Sequence, residues 1–135
     1  MFPELSTRRL LLQKILAIDQ VFIYEGLSHP GVIPFYGVQY KSFQDAAAQM
    51  RWYESQLEEG SGMSWKMVDK VSGDRLGVIS FYYFKPEHKK AEVGFWLMPE
   101  WWGKGYASEA LRAVMQYCQH HWGIHRLEAF VEEGK

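Results

Sequence analysis

Gly103-Lys104-Gly105 stands directly before Tyr106 to His121, a stretch whose apolar residues recur at helical spacing. A helix N-terminus presents about four N–H groups without carbonyl partners, together with the positive end of the helix dipole. Glycines ahead of it remove side chains, so the main chain can close around an anion. Lys104 adds a full positive charge. The expected chemistry is binding of a phosphate or pyrophosphate by the N–H groups of Trp102, Gly103, Lys104, Gly105, Tyr106, Ala107 and Ser108. Two common phosphate motifs do not fit. A P-loop needs Gly, four residues, then Gly-Lys-Ser/Thr, but Met98 occupies the first glycine position and Gly105 the hydroxyl position. The fingerprint Gly-x-Gly-x-x-Gly finds Gly103 and Gly105 and then meets Ser108, and it would follow an antiparallel meander rather than a parallel strand.

Other residues with chemical potential have plainer readings. His121 and His125 are four apart, but Gly123 breaks the helix between them, so no metal site is expected. Cys118 falls on the apolar stripe of its helix and reads as a small core residue. Phe35, Tyr36, Tyr40, Trp52 and Tyr53 can line a pocket or simply pack, and Lys85, Lys89 and Lys90 read as a solvated hairpin tip.

The elements that position the glycine loop can be read from periodicity. Thr7 to Ile15 reads as a first strand and Ala17 to His29 as a broken helix or two short ones, ended by His29-Pro30-Gly31. Ile33 to Lys41 reads as an aromatic-rich loop. Ser42 to Glu59 is a helix capped by Ser42, with Phe43, Ala46, Ala47, Met50, Tyr53 and Leu57 on one face. Met63 to Val71, Arg75 to Phe84 and Ala91 to Met98 follow with short links, as an antiparallel meander. The middle run is apolar on both faces and belongs in the centre of its sheet. After the glycine loop and its helix, Ile124 to Glu132 is a last strand. Strand, helix, strand implies a right-handed crossover, so this strand should lie parallel to Ala91–Met98.

Composition sets the outer limits. The 135 residues suit one domain. Fifteen basic against 16 acidic residues leave no cationic excess for general nucleic-acid binding. Six Trp, eight Tyr and eight Phe are incompatible with intrinsic disorder. No run approaches ~20 apolar residues, so no membrane span is expected. Leu10-Leu11-Leu12 is followed by Gln13 and Lys14 without a cleavage pattern, and no signal peptide is read. With a single cysteine, these features suggest a cytoplasmic protein.

A third phosphate motif fits better: the Gln/Arg-x-x-Gly-x-Gly/Ala loop of the GCN5-related N-acetyltransferases (GNAT). Trp102-Gly103-Lys104-Gly105-Tyr106-Ala107 resembles it at glycine and alanine and departs at Trp102, where the family has Gln or Arg. The stretch Ala91 to Leu111, the opening Thr7-Arg8-Arg9-Leu10-Leu11-Leu12, and the runs Arg126-Leu127-Glu128-Ala129 and Val131-Glu132-Glu133-Gly134 resemble the branch that acetylates ribosomal-protein N-termini. The resemblance implies an α/β fold with a mixed, mostly antiparallel sheet and helices on both faces. It implies one N-acetyltransferase domain over residues 1–135, C-terminally shortened.

The same resemblance implies acetyl-CoA as cosubstrate and no metal. The pantetheine arm would lie along the backbone of Phe95, Trp96 and Leu97, and the pyrophosphate at Trp102 to Ser108. The acceptor would be a primary amine, on a protein N-terminus or a small molecule, attacking the thioester directly. Such an amine must lose a proton. Glu92 and Glu128 are the candidate bases, against the plain reading of each as a paired structural carboxylate. In this branch a further helix and two strands follow, bringing an Asn and often a Tyr that protonates the leaving thiolate. Their expected place lies past Lys135. The expectation therefore keeps two alternatives: a catalytically impaired coenzyme A-binding module, or a subunit completed by a partner chain through a homodimer or strand exchange. Neither nucleic acid nor a membrane is an expected partner.

Overall fold

The computed structural model describes residues 2–29, 43–44 and 46–129. Among these, six strands form one sheet in the order of the chain: β1 (Leu5–Ser6), β2 (Leu10–Lys14), β3 (Met63–Asp69), β4 (Arg75–Lys85), β5 (Lys90–Leu97) and β6 (Arg126–Ala129). The helices are α1 (Gln20–Ser28), α2 (Ala46–Glu59) and α3 (Tyr106–His121), with short 3₁₀ turns at Ala17–Asp19 and Pro99–Trp101. Neighbours from β1 to β5 are antiparallel, while β6 runs parallel to β5 after the α3 crossover. This is the mixed α/β sheet expected from the sequence, including the parallel last pair.

Alternation along the strands gives the sheet two apolar faces. Trp65, Met67, Ile79, Phe81 and Val93 pack beneath the Ala110, Val114 and Cys118 stripe of α3. Val78 and Trp96 face the other way, against Phe22, Ile23 and Leu27 of α1 and Tyr53 of α2. Gly26 is what lets α1 sit this close: a Cβ there would lie 2.1 Å from the Trp96 ring. Asp19, at the start of α1, is 1% exposed and pairs with Lys66 of β3 at 2.9 Å and Arg75 of β4 at 3.0 Å. Burial alone would raise its pKa. The Leu16 N–H and the two cations outweigh burial and hold the carboxyl below the ordinary aspartate range. The helix is thereby fastened to the sheet by charge as well as packing.

Three expectations need correction. The first strand is shorter than Thr7 to Ile15, because Thr7 closes a turn onto Leu10 and Leu5–Ser6 doubles back along β2. The buried face of α2 is Ala46, Gln49, Tyr53 and Gln56, while Phe43 and Leu57 are exposed. Gln56 is drawn inward because its carbonyl accepts the Ser61 and Gly62 N–H groups, and its side chain accepts from the Ser61 hydroxyl. Ile124 belongs to the link ahead of β6: its N–H and that of Trp122 both reach the Cys118 carbonyl around Gly123, whose φ of 67° ends α3. The Ser42 cap, the aromatic run Phe35, Tyr36 and Tyr40, and Val131 to Gly134 lie outside the described residues.

Candidate functional site

The chain leaves β5 at Leu97, makes the Pro99–Trp101 turn and enters α3 through two left-handed glycines. Gly103 has φ 72° and Gly105 φ 82°, a region that strains residues carrying a Cβ. Gly105 is the N-cap of α3. The first helical bond runs from the Glu109 N–H to the Gly105 carbonyl at 3.1 Å. The N–H groups of Tyr106, Ala107 and Ser108 precede it and have no carbonyl within the helix to reach. Together with the dipole and Lys104 they make a turn of the kind that can receive an anion. Trp102 stands differently from its neighbours. Its main-chain N–H is already bonded to the Pro99 carbonyl at 3.1 Å, and its indole N–H donates to the Leu97 carbonyl at 2.9 Å. At the position where the family motif carries Gln or Arg, this tryptophan ties the loop to the end of β5.

The loop has a second support that local sequence reading missed. Arg9 donates to the Glu109 carboxylate through its main-chain N–H (2.8 Å) and its Nε (2.7 Å), and Thr7 donates to the same group. Arg9 Nη1 also reaches the Lys104 carbonyl at 2.9 Å, and its guanidinium lies 4.0 Å over the Tyr106 ring. A Cβ on Gly105 would sit 3.4 Å from Arg9 Nη2, so a second cation borders the turn. Burial alone would raise the Glu109 pKa, and the Thr7 and Arg9 hydrogen bonds override it and hold the carboxyl low. Arg9 and Glu109 are 100 residues apart, which leaves no periodic signal of their meeting.

β5 carries the other half of the site. It pairs with β4 along its length, but with β6 only from Lys90 to Val93 among the described residues. No described strand covers Gly94 to Leu97 on that second side. Trp96 and Leu97 bury their side chains on opposite faces, whereas Phe95 is 36% exposed. On that side the outward backbone groups belong to Phe95 and Leu97, since those of Trp96 turn toward β4, and the Leu97 carbonyl already accepts the Trp102 indole N–H; the short edge that is left is the kind of surface on which an extended, amide-bearing arm can pair.

Glu92 and Glu128 are register partners across β5 and β6, so the sheet brings the two candidate bases together. Their surroundings differ. Glu128 is paired with Lys90 at 3.1 Å and Arg126 at 3.5 Å, and the Lys90 hydrogen bond leads in holding its pKa down. Glu92 is half-buried and makes no ion pair or hydrogen bond among the described residues. On the same side of the sheet, Ser80 is in register with Gly94 and shares a 2.6 Å hydrogen bond with Ser64. Ser64 in turn borders a cavity of about 500 Å³ between α2 and the start of α1, walled by Gln20, Met50, Tyr53, Glu54 and Leu57.

The remaining candidates fall away from this chemistry. Burial pushes the Cys118 thiol up to about 12, so no nucleophilic thiolate exists there at neutral pH. His121 stacks on Tyr117 at 4.8 Å, and the described residues hold no cluster of three or more His, Cys, Asp or Glu able to bind a metal. Trp52 and Tyr53 pack into the α2 face, Trp52 edge-on to Tyr82 at 5.4 Å. No described helix is long and apolar enough to cross a membrane.

Comparison with known proteins agrees with this fold. The family profile described as an acetyltransferase (GNAT) domain matches residues 9–134. The chain is 30% identical over 132 residues to the uncharacterized N-acetyltransferase YoaA of Bacillus subtilis, covering 97% of the chain and 75% of that relative. Its fold is similar to an acetyl transferase of Salmonella typhimurium that modifies the N-terminal serine of ribosomal protein L7/L12. That match has TM-score 0.85 and 18% identity, and covers 98% of the chain and 77% of the other. It is also similar to a spermidine N-acetyltransferase of Vibrio cholerae solved with CoA and spermine, with TM-score 0.76 and 18% identity over 91% and 71% of the two chains.

Proposed function

The chain belongs to the GNAT acetyltransferase family, and from that premise we propose that it moves an acetyl group from acetyl-CoA to a primary amine by direct attack, with Glu92 as the proton acceptor. The observation that carries this reading is continuity. β5 carries Glu92, whose carboxylate has no ion pair or hydrogen bond among the described residues, and leads through the Pro99–Trp101 turn to the helix start at Gly105. The donor set suits a pyrophosphate: three free N–H groups, the helix dipole, Lys104 and the neighbouring Arg9. When bound, acetyl-CoA supplies the activated thioester. The chain's own residues orient it, through the loop and the Phe95–Leu97 edge, and take the amine proton at a Glu92 oxygen. Glu128 is held anionic by Lys90 and Arg126, which makes it the weaker base of the two.

The acceptor side is proposed on the α1/α2 face, where Glu92, Gly94 and the cavity beside Ser64 lie. Its wall carries Glu54 and Glu58 against one cation, Lys14, a balance that suits a cationic amine. Protein N-termini and small-molecule amines are both candidates, by analogy with the named relatives. For assembly we propose a homodimer, supported by β6 having one neighbour only among the described residues. The mechanism is tested by incubating the protein with acetyl-CoA alone and measuring intact mass. Direct attack leaves no acetyl group on the protein, and with an amine present both substrates must bind before product leaves. A stoichiometric acetyl-enzyme that passes its acetyl group to an amine would overturn it.

A further inference from the structure

We propose that the Tyr82 hydroxyl is a catalytic hydrogen-bond donor to the acetyl carbonyl oxygen, reaching across β5 through the gap that Gly94 leaves. The proposal rests on the acetyl-transfer reading above and adds a residue to it.

Tyr82 lies on β4 in register with Glu92. On that face of β5 the sequence runs Glu92, Gly94, Trp96, so only position 94 has no side chain. The tyrosine tip fills the space. A Cβ on Gly94 would lie 3.1 Å from Tyr82 Oη, 3.3 Å from its Cε1 and 3.7 Å from its Cζ. The ring therefore leans from β4 onto the neighbouring strand and delivers its hydroxyl over Gly94, beside Glu92. An arm that starts at the glycine loop and follows Leu97, Trp96 and Phe95 meets Gly94 next, three residues or ~10 Å along the strand.

The ring is held in this pose. Trp52 meets it edge-on at 5.4 Å, and Tyr83 at 4.9 Å and 90°. β4 loses its regular register between Tyr82 and Lys85, and Tyr83 has φ 54°. A non-glycine residue in that region carries backbone strain, which tends to gather at sites where a side chain must be held in a set pose. The hydroxyl makes no hydrogen bond to a described residue, and the ring is half-buried. Burial first, and then the Glu92 charge, push its pKa above the ordinary tyrosine value. It stays protonated at neutral pH and acts as a donor.

The electrons balance with Tyr82 unchanged. As the amine nitrogen bonds to the carbonyl carbon, the C=O π pair moves onto oxygen, where the Tyr82 O–H meets it. The pair returns as the carbon–sulfur bond breaks, and the sulfur keeps that bond's electrons. The amine proton goes to Glu92 and from there, through water, to the thiolate. The products are the acetylated amine and coenzyme A thiol.

Tyr82→Phe keeps the packing and removes the donor. Calorimetry with acetyl-CoA and with CoA, on both proteins, reads the hydrogen bond without any acceptor. The expected result is CoA affinity within two-fold and acetyl-CoA affinity reduced about five-fold. With an amine that the wild type acetylates, kcat should fall about 10²-fold while the amine KM changes little. Unchanged acetyl-CoA affinity together with unchanged kcat would overturn the proposal. If the wild type acetylates no amine, the transfer reading falls separately. The affinity ratio then decides alone: a loss confined to acetyl-CoA upholds the hydrogen bond, and no loss removes it.

Discussion

Lys90 makes the difference between two glutamates that the sheet sets side by side. It pairs with Glu128 at 3.1 Å, Arg126 adds a second cation, and the carboxyl is stabilised as an anion. Glu92, its register partner, has no such neighbour among the described residues. A carboxylate already held by cations is a poor proton acceptor, so the two substitutions should behave differently. Glu92→Gln should lower kcat by about 10²-fold at neutral pH and recover part of it as rising pH deprotonates the amine in solution. Glu128→Gln should change kcat by less than about three-fold, since an exposed pair of this kind contributes little. Parallel pH–rate profiles of the two variants check this; equal losses would remove the ranking, and a larger loss in Glu128→Gln would reverse it. Both glutamates were legible in the sequence as candidates. Their ranking was not, because Lys90, the closer of the two cations, meets Glu128 only through the parallel register of β5 and β6.

Among the elements, the glycine turn at the start of α3 was legible because its determinants are local: two glycines, a lysine and the onset of helical periodicity. Its bracing was not. Arg9 and Thr7 come from the far end of the chain, and only the fold sets them against Glu109. The buried face of α2 departs from the apolar periodicity for a similar reason, since Gln56 turns inward to serve the Ser61 and Gly62 turn that follows it. Gly105 has φ 82°, so Gly105→Val both strains the turn and adds bulk facing Arg9, and coenzyme A affinity should fall at least ten-fold. Lys104→Ala should cost about 1 kcal/mol or less of that binding. Calorimetry on variants with preserved thermal unfolding separates them, and an unchanged affinity in Gly105→Val would remove the turn from the site.

The anchoring of α1 rests on Asp19 and its two cations. Asp19 has a folded-state pKa below its unfolded value, so the stability it contributes is present above the unfolded pKa of ~3.9 and is lost as pH falls through the folded pKa. Asp19→Asn leaves Lys66 and Arg75 facing a neutral amide, and should destabilise the protein by about 3 kcal/mol at pH 7. Denaturant titrations at several pH values should show the gap between variant and wild type closing below pH ~4. A gap independent of pH would place the effect in packing.

For the whole molecule, the meander β3–β4–β5 and the helical crossover to a parallel β6 follow patterns legible in the sequence, whereas the Leu5–Ser6 strand and the place of β2 beside β3, across the connection that holds α1 and α2, are visible only in the fold. Assembly depends on surfaces that no single element reveals. The homodimer proposed from β6 predicts a sedimentation mass near twice 15.8 kDa at micromolar concentration. A concentration-independent monomer that acetylates amines at full rate would show that one chain suffices.

The measurement closest to the central claim is release of coenzyme A thiol from acetyl-CoA across a panel of peptides and small amines. The wild type should release thiol above the amine-free background with at least one amine, in step with acetylation of that amine. A folded protein that binds acetyl-CoA, yet releases no thiol above background with any amine, would contradict it.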